Sequence, residues 1–229
     1  MKLLLFAGYL LVTVGAYLIT RRIFLHFRYP LLNPVFLSTV AIIALLQATG
    51  GTLADYQPAK DAMTFLLGPA TVALALPLYH NRGVLRKQAL PVFAGVVAGS
   101  LATIAAVLLA GRVAGLGRGV LISLGPKSVT VPIAVEISRI AGGEPTLTAA
   151  FVVATGMIGS ILGPMLLSAA RVKNPVARGL ALGTVSHGQG TAVALMEGET
   201  AGAMGGVAMA IAAVCTALIA PYYFPLFLR

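Results

Sequence analysis

Apolar positions in this chain fall into long blocks rather than into alternating or narrowly striped patterns. A helix that crosses a bilayer needs about 20 mostly apolar residues. Blocks of that kind occupy residues 2–20, 34–49, 62–79, 91–110, 120–137, 148–170, 179–196 and 203–228. Membrane β-strands would be shorter and would alternate apolar with polar positions. The pattern therefore predicts an all-α, polytopic helical membrane protein. A single integral membrane domain would span residues 1–229, with about six to eight transmembrane or re-entrant helices.

Two of the blocks are interrupted. Block 120–137 carries Leu124-Gly125-Pro126-Lys127-Ser128 at its centre, with Pro132 beyond. Glycine and proline break a helix there, because proline lacks the N–H and clashes with the preceding turn. Block 179–196 is centred on Gly183-Thr184-Val185-Ser186-His187-Gly188-Gln189-Gly190-Thr191, whose polar side chains cannot face lipid. Broken backbone at membrane depth is tolerated only where protein buries it or it lines a cavity. Leu-Gly-Pro also recurs at 67–69, 124–126 and 162–164, more often than chance arrangement predicts. Paired Gly/Pro-interrupted segments point to the binding site of a secondary transporter. Proline kinks in packed helices are the plainer alternative.

Charge sets the orientation. Arg21, Arg22 and Arg28 follow the first block, Arg82, Arg86 and Lys87 the third, and Arg171, Lys173 and Arg178 the sixth. These nine of the 16 basic residues belong in cytoplasmic loops. The same basic flank argues that the first block is a retained helix, not a cleaved signal peptide. Asp55 and Asp61 are expected in the opposite loop, between blocks two and three. Block 120–137 must then begin and end on the outer side, as a re-entrant hairpin or two half-helices. If 179–196 also re-enters, from the cytoplasm, the pair forms an inverted repeat and Arg229 lies outside. If it crosses, Arg229 lies inside.

Composition agrees with this reading. Hydrophobic residues make up 59% and charged residues 10%, whereas soluble domains carry about 25% charged. Mean hydropathy is +0.96. A soluble enzyme, a disordered chain and a disulfide scaffold are excluded, and the lone Cys215 reads as a small buried hydrophobe. The net charge of +10 is topological; no basic face interleaved with aromatics suggests nucleic acid.

Lys127 is the sharpest chemical feature. A mid-membrane ammonium costs several kcal/mol on insertion scales, so it marks either a counter-charge for an anionic substrate or an internal ion pair, with Glu136 the candidate partner. Ser128 and Thr130 could add hydrogen bonds to a carboxylate, or bond helix to helix. The half-helix that starts there would aim its positive end at the same point. His187 could bind substrate or relay a proton. Ser186, Gln189, Gly190 and Thr191 complete the candidate substrate-binding set. No catalytic or cofactor set is legible, and with no second His or Cys at ligand spacing no metal site is expected. Glu197 and Glu199 read as a solvated loop. Arg139, Gly142, Gly143 and Glu144 read as an exposed turn. Glycine-rich stretches 95–99 and 202–206 could pack against a second copy, which would make a homo-oligomer.

The run Leu124-Gly125-Pro126-Lys127-Ser128-Val129-Thr130-Val131-Pro132-Ile133-Ala134 resembles the signature of the LrgB/CidB family. Arg178-Gly179-Leu180-Ala181-Leu182-Gly183-Thr184, leading into His187-Gly188-Gln189-Gly190-Thr191-Ala192, resembles it as well, as do residues 143–149 and Ile219-Ala220-Pro221. Val131 stands where the family commonly has threonine, and Val193 where it commonly has arginine. The resemblance implies a multi-pass protein of the cell (inner) membrane with an LrgA/CidA-type membrane subunit as partner. It implies either of two functions. One, the lead reading here, is carriage of small monocarboxylates or hydroxy acids of the pyruvate, glycolate and glycerate class, for which the paired breaks themselves suggest elevator-type motion of one bundle against the rest. The other is holin- or antiholin-like control of murein hydrolase export and autolysis. An enzyme is not expected.

Overall fold

The computed structural model describes residues 2–27, 32–73 and 79–227. They fold as helices, with no strand among the described residues. The chain divides into two compact units, Met1–Ala75 and Leu76–Arg229.

The first unit holds α1 (Lys2–Phe27), α2 (Pro34–Thr49) and α3 (Leu53–Ala73). The Asn33 side chain starts α2 by accepting from the N–H groups of Val35 and Phe36 at 2.9 and 3.2 Å. Such a cap satisfies donors that have no partner within the helix. Gly50, at φ 67°, ends it. Thr13 on α1 and Tyr56 on α3 share a hydroxyl hydrogen bond of 3.1 Å. Two expectations change here. Helix α1 continues through Arg21 and Arg22 to Phe27, because nothing in that stretch breaks a helix; Arg28 lies outside the described residues. Asp55 and Asp61 are helical rather than in a loop. The Asp55 carboxylate accepts from the Thr52 N–H at 2.9 Å and the Thr52 hydroxyl at 2.6 Å, a capping pair that starts α3 nine residues earlier than the apolar block suggested. Residues 74–78, in the expected 62–79 span, lie outside the described residues.

The second unit contains α4 (Arg82–Lys87), α5 (Ala89–Val113), α6 (Arg118–Leu124), α7 (Val131–Ala141), α8 (Pro145–Ala169), α9 (Pro175–Glu197) and α10 (Glu199–Phe227). Among the described residues, four helical stretches are long and apolar enough to cross a membrane: Leu5–Phe27, Ala89–Val113, Pro145–Ala169 and Glu199–Phe224. The chain is a multi-pass helical membrane protein.

Helices α6 and α7 are the limbs of one re-entrant hairpin. After Leu124 the chain tightens through Lys127 N–H to Leu124 O and Val129 N–H to Pro126 O, both 3.2 Å, and reverses before Pro132 opens α7. The last turn of α6 meets the outer end of α7, where the Glu144 N–H donates to the Ser123 hydroxyl at 2.7 Å. Leu121 and Ile122 pack there with Ile104, Leu108 and Phe224, joining the hairpin to α5 and α10.

Helix α9 is also a hairpin, which settles the alternative left open by the sequence. Ser186 (φ −121°, ψ 18°) and His187 (φ 43°, ψ −129°) leave helical geometry. A straight helix would hold Arg178 and Glu197 about 28 Å apart, yet their side chains pair at 2.6 Å. Its limbs pack on α10 so tightly that a Cβ on Gly183 would strike the Gly205 carbonyl and one on Gly179 the Ala201 carbonyl. Gly202 and Gly205 are thus engaged within the chain, against Leu195 and Thr191. The order α5, hairpin, α8, hairpin, α10 places the two mouths at opposite ends. Arg178 reaches Val172 O at 2.9 Å, and His80 reaches Glu199 at 3.0 Å, so Arg171, Lys173 and Arg178 share an end with the start of α10. By the positive-inside rule this end is cytoplasmic. Arg229 lies outside the described residues.

The Leu-Gly-Pro repeat does not mark the two breaks. Pro69 and Pro164 lie inside continuous helices, and only the copy at 124–126 interrupts one. A proline can be carried by a long helix whose neighbours take up the kink. The second break contains no proline at all; it falls at Ser186 and His187.

Candidate functional site

The hairpin tips converge near the middle of α8. The His187 ring nitrogen Nε2 stands 3.1 Å from the Val152 carbonyl. A carbonyl only accepts, so Nε2 donates and Nδ1 of the neutral ring is left as an acceptor. Val152 also packs with Val129 of the first tip, Ala134 of α7 and Ala213 of α10. Lys127 lies within electrostatic reach of His187. The second tip comes this close because α8 presents glycines to it. A Cβ on Gly156 would come within 2.8 Å of the imidazole and 2.9 Å of the Gln189 amide, and one on Gly159 would collide with the Ser186 hydroxyl.

Among the described residues no carboxylate pairs with Lys127. Its ammonium donates to the Ser128 hydroxyl at 3.1 Å. The chain has six Asp and Glu side chains, all among the described residues, and each is engaged elsewhere. Glu136 binds Arg139 at 2.6 and 3.0 Å, which removes the alternative of a Lys127–Glu136 ion pair and leaves the counter-charge reading. One turn of α7 brings Arg139 within reach, whereas the start of α7 carries Glu136 away from the tip. Asp55 bonds Thr52, Asp61 bonds Gln57, Glu144 caps α8, Glu197 binds Arg178 and Glu199 binds His80. Glu197 and Glu199 are therefore not a free solvated loop.

A groove of about 450 Å³ runs along α8 beside the second hairpin, lined by Lys127, Thr155, Gly159, Leu162, Leu182 and Ser186 among others. It brings one cation and two hydroxyls into an otherwise apolar channel. Both α7 and the second limb of α9 begin at the tips, and a helix start carries the positive end of the helix dipole.

Of the eight candidate residues, Lys127 and Ser186 line the groove. Ser128 lies against Lys127. His187 and Gln189 sit beside it, and the Gln189 Oε1 is buried with no hydrogen-bond partner among the described residues. The other three are behind the tips. The Thr191 hydroxyl donates to the His187 carbonyl at 2.9 Å. Gly190 lets the limbs close, since a Cβ there would strike the Leu182 carbonyl. Thr130 is half-buried and makes no side-chain cap on α7. The sequence reading missed Thr155, Gly156 and Gly159. Their signal was present in the spacing of Gly156, Gly159 and Gly163 along one face of an apolar helix.

The pattern of the LrgB-like family matches residues 13–226. YwbG of Bacillus subtilis, an uncharacterized protein, is 36% identical over 213 residues, covering 93% of this chain and 95% of its own. The holin-like protein CidB of Staphylococcus epidermidis is 33% identical over 218 residues, covering 95% of both chains. The holin-like protein CidB of Staphylococcus aureus is 34% identical over the same length and shares. No solved structure matches the chain.

Proposed function

The chain belongs to the LrgB-like family, and from that premise we propose that it is a carrier, not an enzyme, for small monocarboxylates or hydroxy acids. The observation that carries the reading is Lys127, an ammonium at a mid-membrane hairpin tip while all six Asp and Glu side chains are engaged elsewhere. An unpaired charge at that depth is costly unless something anionic or water meets it. A carboxylate bound at Lys127 would find the Ser128 and Ser186 hydroxyls, the Lys127–His187 face and two positive helix ends. One cation and apolar walls suit a small monoanion. Alternating access would come from motion of one hairpin-and-helix bundle against the rest, and an LrgA/CidA-type subunit would act with the chain.

The second reading is a holin- or antiholin-like regulator of murein hydrolase export. The name holin-like, carried by the CidB relatives, favours it. Saturation separates the two. The purified chain would be placed in liposomes with and without the partner subunit, and uptake of labelled pyruvate, glycolate and glycerate measured against concentration. The carrier reading expects a maximum rate and competition among these acids, with no passage of a neutral sugar of similar size. Linear, non-competing flux of all solutes would establish a pore instead.

A further inference from the structure

The first hairpin and α10 enclose a second groove, of about 570 Å³, lined by Arg118, Pro132, Ile133, Glu136, Ala217 and Phe224 among others. It starts at the first residues of α7, beside the tip that carries Lys127, and follows α7 to Ala141 at its outer end. The groove along α8 is lined by Lys127 itself and runs the other way, to Leu166 and Leu167 near the cytoplasmic end of α8. Each groove is formed by one hairpin against the long helix that follows the other hairpin. The hairpins are also related in sequence. Each opens on Arg-Gly, at 118–119 and 178–179, and each carries a threonine after its tip with a glutamate six residues on: Thr130 and Glu136 in the first, Thr191 and Glu197 in the second. An inverted pair of this kind places one shared site between two routes of opposite direction.

The two hairpins differ in how they use these charges. Arg178 and Glu197 pair with each other. Glu136 instead binds Arg139 on its own helix, and Arg118 makes no hydrogen bond or ion pair among the described residues. Because Arg139 neutralises Glu136, Arg118 is the uncompensated charge of the outer groove. The same residues bear on what fills it. Glu136 lies halfway along α7, between the tip and the outer end, and the side chains of Glu136 and Arg139 are 54% and 63% exposed. An ion pair so exposed at that depth is costly against acyl chains and is at home against water.

We infer that this groove is the outer half of the substrate path and that Arg118 is the residue that draws carboxylate anions into it. The inference rests on the carrier reading for the identity of the anion, and adds to it a route and an entry residue. A single uncompensated guanidinium in an apolar-walled cleft concentrates small anions and repels cations, because low-dielectric walls focus its field. From Arg118 the anion would pass along α7 to the tip, where it exchanges water for the Lys127 ammonium and the Ser128 hydroxyl.

The test reads the solvent and the charge of the groove, in right-side-out membrane vesicles carrying the full chain. In a Cys215→Ala background, Ala217→Cys places a thiol in the groove. Leu218→Cys places one at the same depth, on an exposed position that does not line it. Two impermeant methanethiosulfonates are applied from outside, one bearing a sulfonate and one a trimethylammonium, and each rate is divided by the rate with free mercaptoethanol. Position 217 is expected to react, with the sulfonate favoured, and position 218 to stay unmodified. Arg118→Gln should lower the sulfonate-to-ammonium ratio at 217 about five-fold, and Arg118→Lys should keep it. An inert position 217 means that lipid fills the groove, and overturns the path. Equal reaction at 217 and 218 overturns it too, because access would not be through the groove. A ratio that Arg118→Gln leaves unchanged overturns the role of Arg118. Should Arg118→Gln fail to fold, the Ala217→Cys protein with Arg118 intact decides by itself: no preference for the sulfonate overturns the inference. Saturable uptake into liposomes is read separately. If it is absent while position 217 behaves as expected, the carrier reading fails and the anion-selective groove stands. If it is present while position 217 is inert, the path falls and the carrier reading stands.

Discussion

Lys127 is a cation placed where a bilayer protein can least tolerate one, and its surroundings decide what that means. A staple would have left a carboxylate facing it; instead Glu136 turns to Arg139 on the exposed face of α7. Removing an unpartnered buried charge relieves desolvation, whereas removing one member of a buried pair strands the other. Lys127→Gln is therefore expected to abolish saturable carboxylate uptake with a melting temperature in detergent equal to or above that of the parent protein. A melting temperature that falls in Lys127→Gln and is restored by Glu136→Gln would contradict both the geometry and the anion-binding role. His187 differs, because its ring already spends Nε2 on the Val152 carbonyl. It holds the second tip against α8 and leaves only Nδ1 for chemistry.

At the scale of elements, the two breaks are made by different physics. The first is written in proline and glycine, which cannot continue a helix. The second is a reversal at Ser186 and His187, two residues with no such prohibition, and a positive φ at a histidine persists only when its surroundings over-determine it. Here they do: the ring is bound to α8, the Thr191 hydroxyl holds the His187 carbonyl, and the limbs are clamped by Arg178 and Glu197. Helix starts are set more locally. Glu144 caps α8 through the N–H groups of Thr146 and Leu147, which hold its carboxyl below the ordinary carboxylate range. A depressed folded-state value means the cap stabilises fully above the unfolded value, about 4.3, and is lost as pH falls through the folded one. Thermal unfolding followed downward from neutral pH should show an acid-limb loss that Glu144→Gln reduces. An identical acid limb in the variant would remove the cap from the account.

At the scale of the second unit, opposed hairpins make a topology that charge counting alone left undecided. Single-cysteine reporters in a Cys215→Ala background should settle sidedness. A thiol at Lys173→Cys should react with an impermeant reagent only from the cytoplasm. One at Arg139→Cys, on a residue whose side chain is 63% exposed, should react only from outside. Labelling of both from one face would refute the opposed arrangement.

Much of this was legible in the residues. Low charge and unbroken apolar blocks require a bilayer, since no polar surface exists to cover such a fold in water. The positions of arginine and lysine fix which loops stay inside, and Gly125, Pro126 and Pro132 mark the first hairpin, because all of these act locally. What the residues did not disclose depends on contacts between distant positions. Leu-Gly-Pro could be a break or a tolerated kink, and only the packing of α3 and α8 decides that Pro69 and Pro164 are kinks. Whether 179–196 crosses or returns is decided by Arg178 meeting Glu197 and by Gly190 meeting Leu182, contacts that one-dimensional order does not contain. The same holds for Lys127: its residue type announces a charge in the membrane, and only the tertiary structure, by sending every Asp and Glu side chain elsewhere, leaves that charge without a carboxylate among the described residues.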